Sequence, residues 1–164
     1  MEDQDITKSL SEYNDIFKEE SKLYQDIARD LGLSQCSFWI LYTLRTEGAE
    51  LTQSEICACI YEPKQTVNSA LKKLEREGCL TLCQGNDRRS KHIALTPSGR
   101  ELCARTVDRV IDLEQTALAA LTEKERRTFL KIFRKYTDLL KTFRQEKLED
   151  IRHHEDTDFG PLHL

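Results

Sequence analysis

The residues from Leu51 to Thr96, LTQSEICACIYEPKQTVNSALKKLEREGCLTLCQGNDRRSKHIALT, allow few folds. Thr52-Gln53-Ser54-Glu55 is a capping box: the Thr hydroxyl and the Glu carboxylate each satisfy a free backbone N–H at a helix start. The helix it opens is short and ends near Ile60. Pro63 suits the first turn of a second helix, where its missing N–H costs nothing. That helix runs to Glu77 and stops at Gly78. Strands are expected at 79–84 and 91–96, with Leu80 and Leu82 sharing one face and Ile93 and Leu95 sharing another. Two short helices followed by a hairpin with a charged tip make a winged helix-turn-helix, a geometry that places one helix in a DNA major groove.

The flanks have helical periodicity. Ile6, Leu10, Tyr13, Phe17, Tyr24, Ile27 and Leu31 recur at steps of three, four and seven, and Gly32 ends that helix. Ser34 is an N-cap for a helix to about Thr46, with Phe38, Leu41 and Leu44 inward, stopped at Gly48. Thr96-Pro97 restarts one helix that runs to about Ala120, striped by Val107, Val110, Ile111, Leu118 and Leu121. Thr122 and Glu125 form a second capping box. The last helix carries Phe129, Ile132, Phe133, Tyr136, Leu139, Leu140 and Phe143 to about Lys147. These stripes exceed what one small head can cover. Phe129, Phe133, Tyr136 and Phe143 are therefore expected to be buried, some of them across a two-fold interface. The tail from Glu149 lacks periodicity and is expected to be mobile.

The fold class that follows is mainly α with a small β-wing: a winged helix-turn-helix on a helical dimerisation frame. Residues 34–96 are the head, 1–33 and 97–148 the frame, and 149–164 the tail. No stretch approaches about 18 apolar residues, and the acidic start lacks an apolar signal core, so a cytoplasmic protein with no membrane partner is expected.

A net charge of −4 hides an uneven distribution. From Thr52 to Arg100 there are eight Lys/Arg against five Asp/Glu, or +3, which leaves −7 for the remainder. A basic module on an acidic frame is an electrostatic footprint for nucleic acid.

On the helix after Pro63, Val67, Ala70, Leu71 and Leu74 share one face. The opposite face shows Gln65, Asn68, Ser69, Lys72 and Arg76, with Thr66 and Lys73 at its margins, and Lys64 is a further candidate DNA contact. Amides pair with adenine edges, Lys donates to guanine, and hydroxyls contact bases or phosphates. An ordinary solvated face would look the same on an isolated helix; the capped helix before it and the wing after it favour DNA. At the hairpin tip, Arg88 and Arg89 suit a minor groove, whose negative potential attracts guanidinium. Asp87 can brace one of them through a carboxylate–guanidinium fork. Lys91 adds a cation at the base of the tip. A hairpin kept in solution by charge is the plainer alternative.

These residues, KQTVNSALKKLEREG and DRRSKHIALTPSGREL above all, resemble the MarR family of bacterial transcription regulators. The resemblance runs from about Ser34 to Lys147, and the N-terminal helix fits that family's dimer frame. It implies that the D-x-R wing signature falls on Asp87 and Arg89, with Arg89 in the minor groove, Asp87 orienting it and Arg88 on a phosphate. It also implies an obligate homodimer with intertwined first and last helices, and a small effector bound between frame and reading head. Tyr13, Phe17, Phe38, Trp39 and Tyr42 are the aromatic residues expected near such a ligand, with plain core packing the alternative for each.

Six cysteines, at 36, 57, 59, 79, 83 and 103, are a high count. Without a signal sequence, reduced thiols are expected. Cys57 and Cys59 sit at i and i+2 of a helix and form a poor chelate, and the histidines lie at the wing and tail, so no metal or other cofactor is expected. Cys36 and Cys103 are the thiols a redox switch would use. No nucleophile motif, Gly-rich phosphate loop or paired His ligands is present, which argues against an enzyme. The expected function is a DNA-binding regulator, a repressor released from a pseudopalindromic operator by a small-molecule effector. The alternatives are a thiol-based redox regulator of the same fold and a winged-helix protein-interaction module without DNA binding.

Overall fold

In the computed structural model, residues 2–48, 51–60, 62–84 and 91–158 are described. Their elements run α1 (Glu2–Asp30), α2 (Gln35–Thr46), β1 (Leu51–Thr52), α3 (Gln53–Cys59), α4 (Lys64–Arg76), β2 (Leu80–Gln84), β3 (Lys91–Leu95), α5 (Pro97–Arg105), α6 (Val107–Ala120) and α7 (Glu123–Asp158). They form two compact units, 1–113 and 114–164.

The first unit is built around α2. Ser34 caps it by accepting from the Ser37 N–H at 3.2 Å. Phe38, Ile40 and Leu41 are fully buried and Leu44 nearly so. Ile56 from α3, Val67 and Leu74 from α4, Ile93 from β3 and Val107 from α6 complete that core. Only the C-terminal part of α1 joins it, through buried Ala28 and the half-buried Tyr24 and Ile27.

The sheet is antiparallel with strand order β1-β3-β2. β1 was not expected, because two residues leave no alternation to detect; it pairs Leu51 with Ile93. β2 and β3 pair from Leu80 with Leu95 out to Gln84 with Lys91. Leu80 pairs with Leu95 and Leu82 with Ile93, so each expected pair shares its strand face, with Leu80 buried and Leu82 exposed. Ile93, at the middle of the ladder, is buried, and Cys83 beyond it is exposed.

The base of the hairpin is locked. The Thr96 N–H donates to the Cys79 carbonyl at 3.1 Å. The Thr96 hydroxyl donates to the Gly78 carbonyl at 2.6 Å and accepts from the Gly99 N–H at 3.0 Å. Gly78 ends α4 with φ +74, a left-handed conformation open to glycine at no steric cost.

Two expected helices differ from expectation, one by an internal break and one by its length. The single helix over 97–120 is broken at Thr106, whose φ −126 and ψ −95 are not helical. Its hydroxyl donates to the Leu102 carbonyl at 2.6 Å, and buried Cys103 and Val107 flank it, so core packing sets this break rather than Gly or Pro. α7 continues past Lys147 to Asp158, beyond the end of its apolar stripe.

In the second unit, the Thr122–Glu125 box caps α7, with the Thr122 N–H donating to the Glu125 carboxylate at 2.8 Å. Phe129 and Phe133 stack at 5.9 Å between centroids. Phe129, Phe133 and Phe143 are each about half exposed (52%, 52% and 53%), so their expected burial does not occur within one chain. Ile6, Leu10, Ile16 and Phe17 of α1 are likewise exposed.

Candidate nucleic-acid interface

The capping box forms as expected. The Thr52 N–H donates to the Glu55 carboxylate at 2.7 Å, and the Glu55 N–H donates to the Thr52 hydroxyl at 3.2 Å. These bonds to Thr52 hold the Glu55 carboxyl below its ordinary value. Pro63 proves to be the N-cap of α4 rather than its first residue, and it contributes no side-chain cap. Its carbonyl accepts from the Val67 N–H at 3.1 Å, which carries the chain into the helix.

α4 has the expected two faces. Val67, Ala70 and Leu74 are buried, and Leu71 is half-buried against the core. Lys64, Gln65, Thr66, Ser69, Lys72, Lys73 and Arg76 are exposed. The Ser69 hydroxyl donates to the Gln65 carbonyl at 3.0 Å, which leaves it as an acceptor toward solvent. Lys73 lies 4.0 Å from Glu77, and Lys64, Lys72 and Arg76 add further exposed cations to this face. Asn68 departs from the expectation of a free amide. It is half-buried, and its Oδ1 accepts from Nε2 of Gln53. Gln53 is a partner that sequence reasoning missed. No periodicity joins residues 15 apart on two different helices.

Asp87, Arg88 and Arg89 lie outside the described residues, as does the side chain of Lys91. Of the other cations in this module, Arg100 donates to the Leu95 carbonyl at 2.8 Å and braces the hairpin base.

The five aromatic residues divide. Phe38 is fully buried core and supports its neighbours from behind, so it does not face a ligand. Trp39 lies 5.0 Å from Phe38 and 5.2 Å from Tyr24, between ring centroids. Trp39 and Tyr42 line a groove of about 410 Å³ together with Thr46, Glu47, Cys59 and Glu62. Tyr13 and Phe17 stack on each other at 6.4 Å, far along α1, and do not line that groove.

The thiols chosen for a redox switch are the wrong ones. Cys103 is fully buried and Cys36 nearly so. Burial pushes both thiols up to about 11, helped at Cys36 by Glu62 and at Cys103 by Asp108. A protonated, buried thiol is a poor nucleophile toward peroxide. Cys59 and Cys83 are the exposed cysteines. Among the described residues, no group of three or more His, Cys, Asp or Glu can hold a metal ion, and no helix is long and apolar enough to cross a membrane.

Residues 29–90 match the family model described as MarR family. The chain is 30% identical over 105 residues to an uncharacterized HTH-type transcriptional regulator, YwoH of Bacillus subtilis (strain 168), covering 64% of this chain and 76% of that protein. Its fold is similar to that of NMB1585, a MarR family regulator from Neisseria meningitidis, with TM-score 0.71 at 23% identity over 85% of this chain and 98% of that one. It is also similar to S. aureus MepR in its DNA-binding conformation, with TM-score 0.67 at 25% identity over 78% and 98% of the two chains.

Proposed function

The chain belongs to the MarR family of DNA-binding transcription regulators, and we propose that it is a homodimeric repressor that an effector releases from a pseudopalindromic operator. Members of this family are regulators rather than enzymes, and so is this chain. The observation that carries the proposal is α4: a helix with one face sealed in the core and the other lined by cations, an amide and hydroxyls. Lys64, Gln65, Thr66, Asn68, Ser69, Lys72 and Arg76 meet the major groove, and Asp87, Arg88, Arg89 and Lys91 form the wing beside it. MepR, whose fold is similar, has a DNA-binding conformation, which supports this reading.

The exposed apolar stripes supply the argument for a dimer. Phe129, Phe133 and Phe143 each leave about half their surface in water. Covering an aromatic side chain fully is worth about 1.5–3 kcal/mol. A second copy of the chain that covers the α1 and α7 stripes would bring two reading helices about 34 Å apart, one turn of DNA. In this assembly 34–96 is the reading head, and 1–33 with 97–148 the frame.

An effector releases DNA only if it binds the non-binding conformation more tightly. The groove at Trp39 and Tyr42 is the place for it, because on its wall Cys59 ends α3 and Glu62 lies in the turn that leads into α4. The burial of Cys36 and Cys103 disfavours the redox alternative.

Two measurements test the proposal together. Genome-wide mapping of bound DNA should recover sites with two-fold symmetric half-sites. Sedimentation of the free protein should give a dimer that Phe133→Asp converts to monomer. Asymmetric single sites, or a stable folded monomer of the wild-type chain, would contradict it.

A further inference from the structure

The charges of the two long helices are of opposite sign. From Gln4 to Asp30, α1 carries seven Asp/Glu against four Lys/Arg, or −3. From Glu123 to Lys147, α7 carries nine Lys/Arg against four Asp/Glu, or +5. Each excess gathers in an open groove beside apolar surface. On α1, Glu12, Asp15 and Glu19 line a groove with Ile16, and Lys8 is the opposing charge. On α7, Lys131, Arg134 and Lys135 line a groove with Leu139, and Asp138 is the opposing charge. Ile16 is 60% exposed and Leu139 41%. Lys18 meets Asp15 and Lys141 meets Asp138, each at 3.2 Å within its own helix. Among the described residues, no ion pair holds Glu12, Glu19, Lys131, Arg134 or Lys135.

These two surfaces complement each other in charge, and each borders exposed apolar side chains that need a cover. We infer that the acidic groove of α1 in one copy docks on the basic groove of α7 in a second copy, so that charge selects the α1–α7 pairing and excludes α1–α1 and α7–α7. In a two-fold dimer this contact is made twice, because what one copy's α1 meets on its partner is met in return. Exposed ion pairs add little affinity singly. Like charges set face to face are penalised more heavily, which makes charge a selector of partners. The inference rests on the homodimer proposed above and names how its helices pair.

Charge reversal in the full-length protein tests it. The readout is the dimer dissociation constant from sedimentation, with circular dichroism as a check on folding; all four substituted positions are exposed. Glu12→Lys with Glu19→Lys should weaken the homodimer by about ten-fold or more at low salt, and so should Lys131→Glu with Lys135→Glu. At about 1 M salt, where the screening length falls to about 3 Å, both losses should shrink. The chain with all four substitutions should recover the wild-type constant and form few mixed dimers with tagged wild-type chain. Pairing of like helices would leave every constant unchanged, because both copies change sign together. That result, or no recovery in the fourfold variant, would overturn the inference and leave the dimer standing. A loss of DNA affinity in Lys131→Glu with Lys135→Glu while the dimer stays intact would assign the basic groove to phosphate, and would also overturn it. A wild-type chain that stays monomeric at every salt would overturn the dimer proposal itself, and the inference with it.

Discussion

Arg45 on α2 and Asp108 at the start of α6, 63 residues apart, close a two-bond fork: Nε to Oδ1 at 2.7 Å and a guanidinium NH₂ to Oδ2 at 3.0 Å. The bond to Asp108 raises the guanidinium above its already high ordinary value. The fork ties the central helix of the first unit to the chain just after the break at Thr106. Both side chains are partly exposed, at 39% and 28%, so solvent screens the pair. Two parallel bonds in fixed geometry still place it above the usual surface ion pair, at about 1 kcal/mol. Arg45→Ala and Asp108→Ala should each lower stability by about that much in denaturant unfolding. The double variant should cost less than the sum, and strict additivity would show that the fork contributes nothing.

Gly99 makes a sharper prediction. A Cβ there would lie 1.9 Å from the Cys79 carbonyl oxygen, which is backbone and already accepts from Thr96. The clash can be relieved only by moving α5 away from the hairpin base. Gly99→Ala should therefore destabilise the fold by about 3 kcal/mol, the upper range for overpacking. A melting temperature within a degree of wild type would mean that α5 does not pack as described.

The two capping boxes set an acid limit. Backbone and hydroxyl bonds from Thr52 and Thr122 lower the Glu55 and Glu125 carboxyls below their ordinary value of 4.5. A depressed folded-state value means that the stabilisation is complete above 4.5 and is lost as pH falls through the lower, folded-state value. Glu55→Gln and Glu125→Gln should each flatten the loss of helix signal below pH 4.5, while leaving the basic side of the profile alone.

The cysteines should separate by reactivity. At neutral pH, iodoacetamide followed by mass spectrometry should modify the exposed Cys59 and Cys83 first and leave Cys36 and Cys103 last. Their raised values also imply alkaline instability: the unfolded chain ionises these thiols from 9.0 upward, whereas the folded chain holds them protonated to about 11. Early labelling of Cys103 would show that the core around it opens in solution.

The two faces of α4, the two capping boxes and the sealing of α2 were legible in the sequence because each is local. Val67, Ala70 and Leu74 repeat at helical spacing, and Thr52 and Glu55 sit three residues apart. What escaped was tertiary. The Thr106 break carries no Gly or Pro, since packing of Cys103 and Val107 imposes it. β1 exists only because Leu51 finds Ile93. The Gln53–Asn68 bond joins two helices whose separation no pattern reports. Phe38 was legible as inward from its spacing with Leu41 and Leu44, and its full burial is what removes it from the aromatic residues expected near a ligand.

The most direct test of the central claim is a titration of a labelled duplex from a mapped site at several salt concentrations. Each phosphate neutralised releases counterions, so log K should fall with log salt at about −0.9 per contact. The account predicts a slope several contacts steep that becomes shallower by about one contact in Lys72→Ala, and weaker binding on every site in Arg89→Ala. Binding that ignores salt, Lys72 and Arg89 alike would contradict a DNA-reading role for this face.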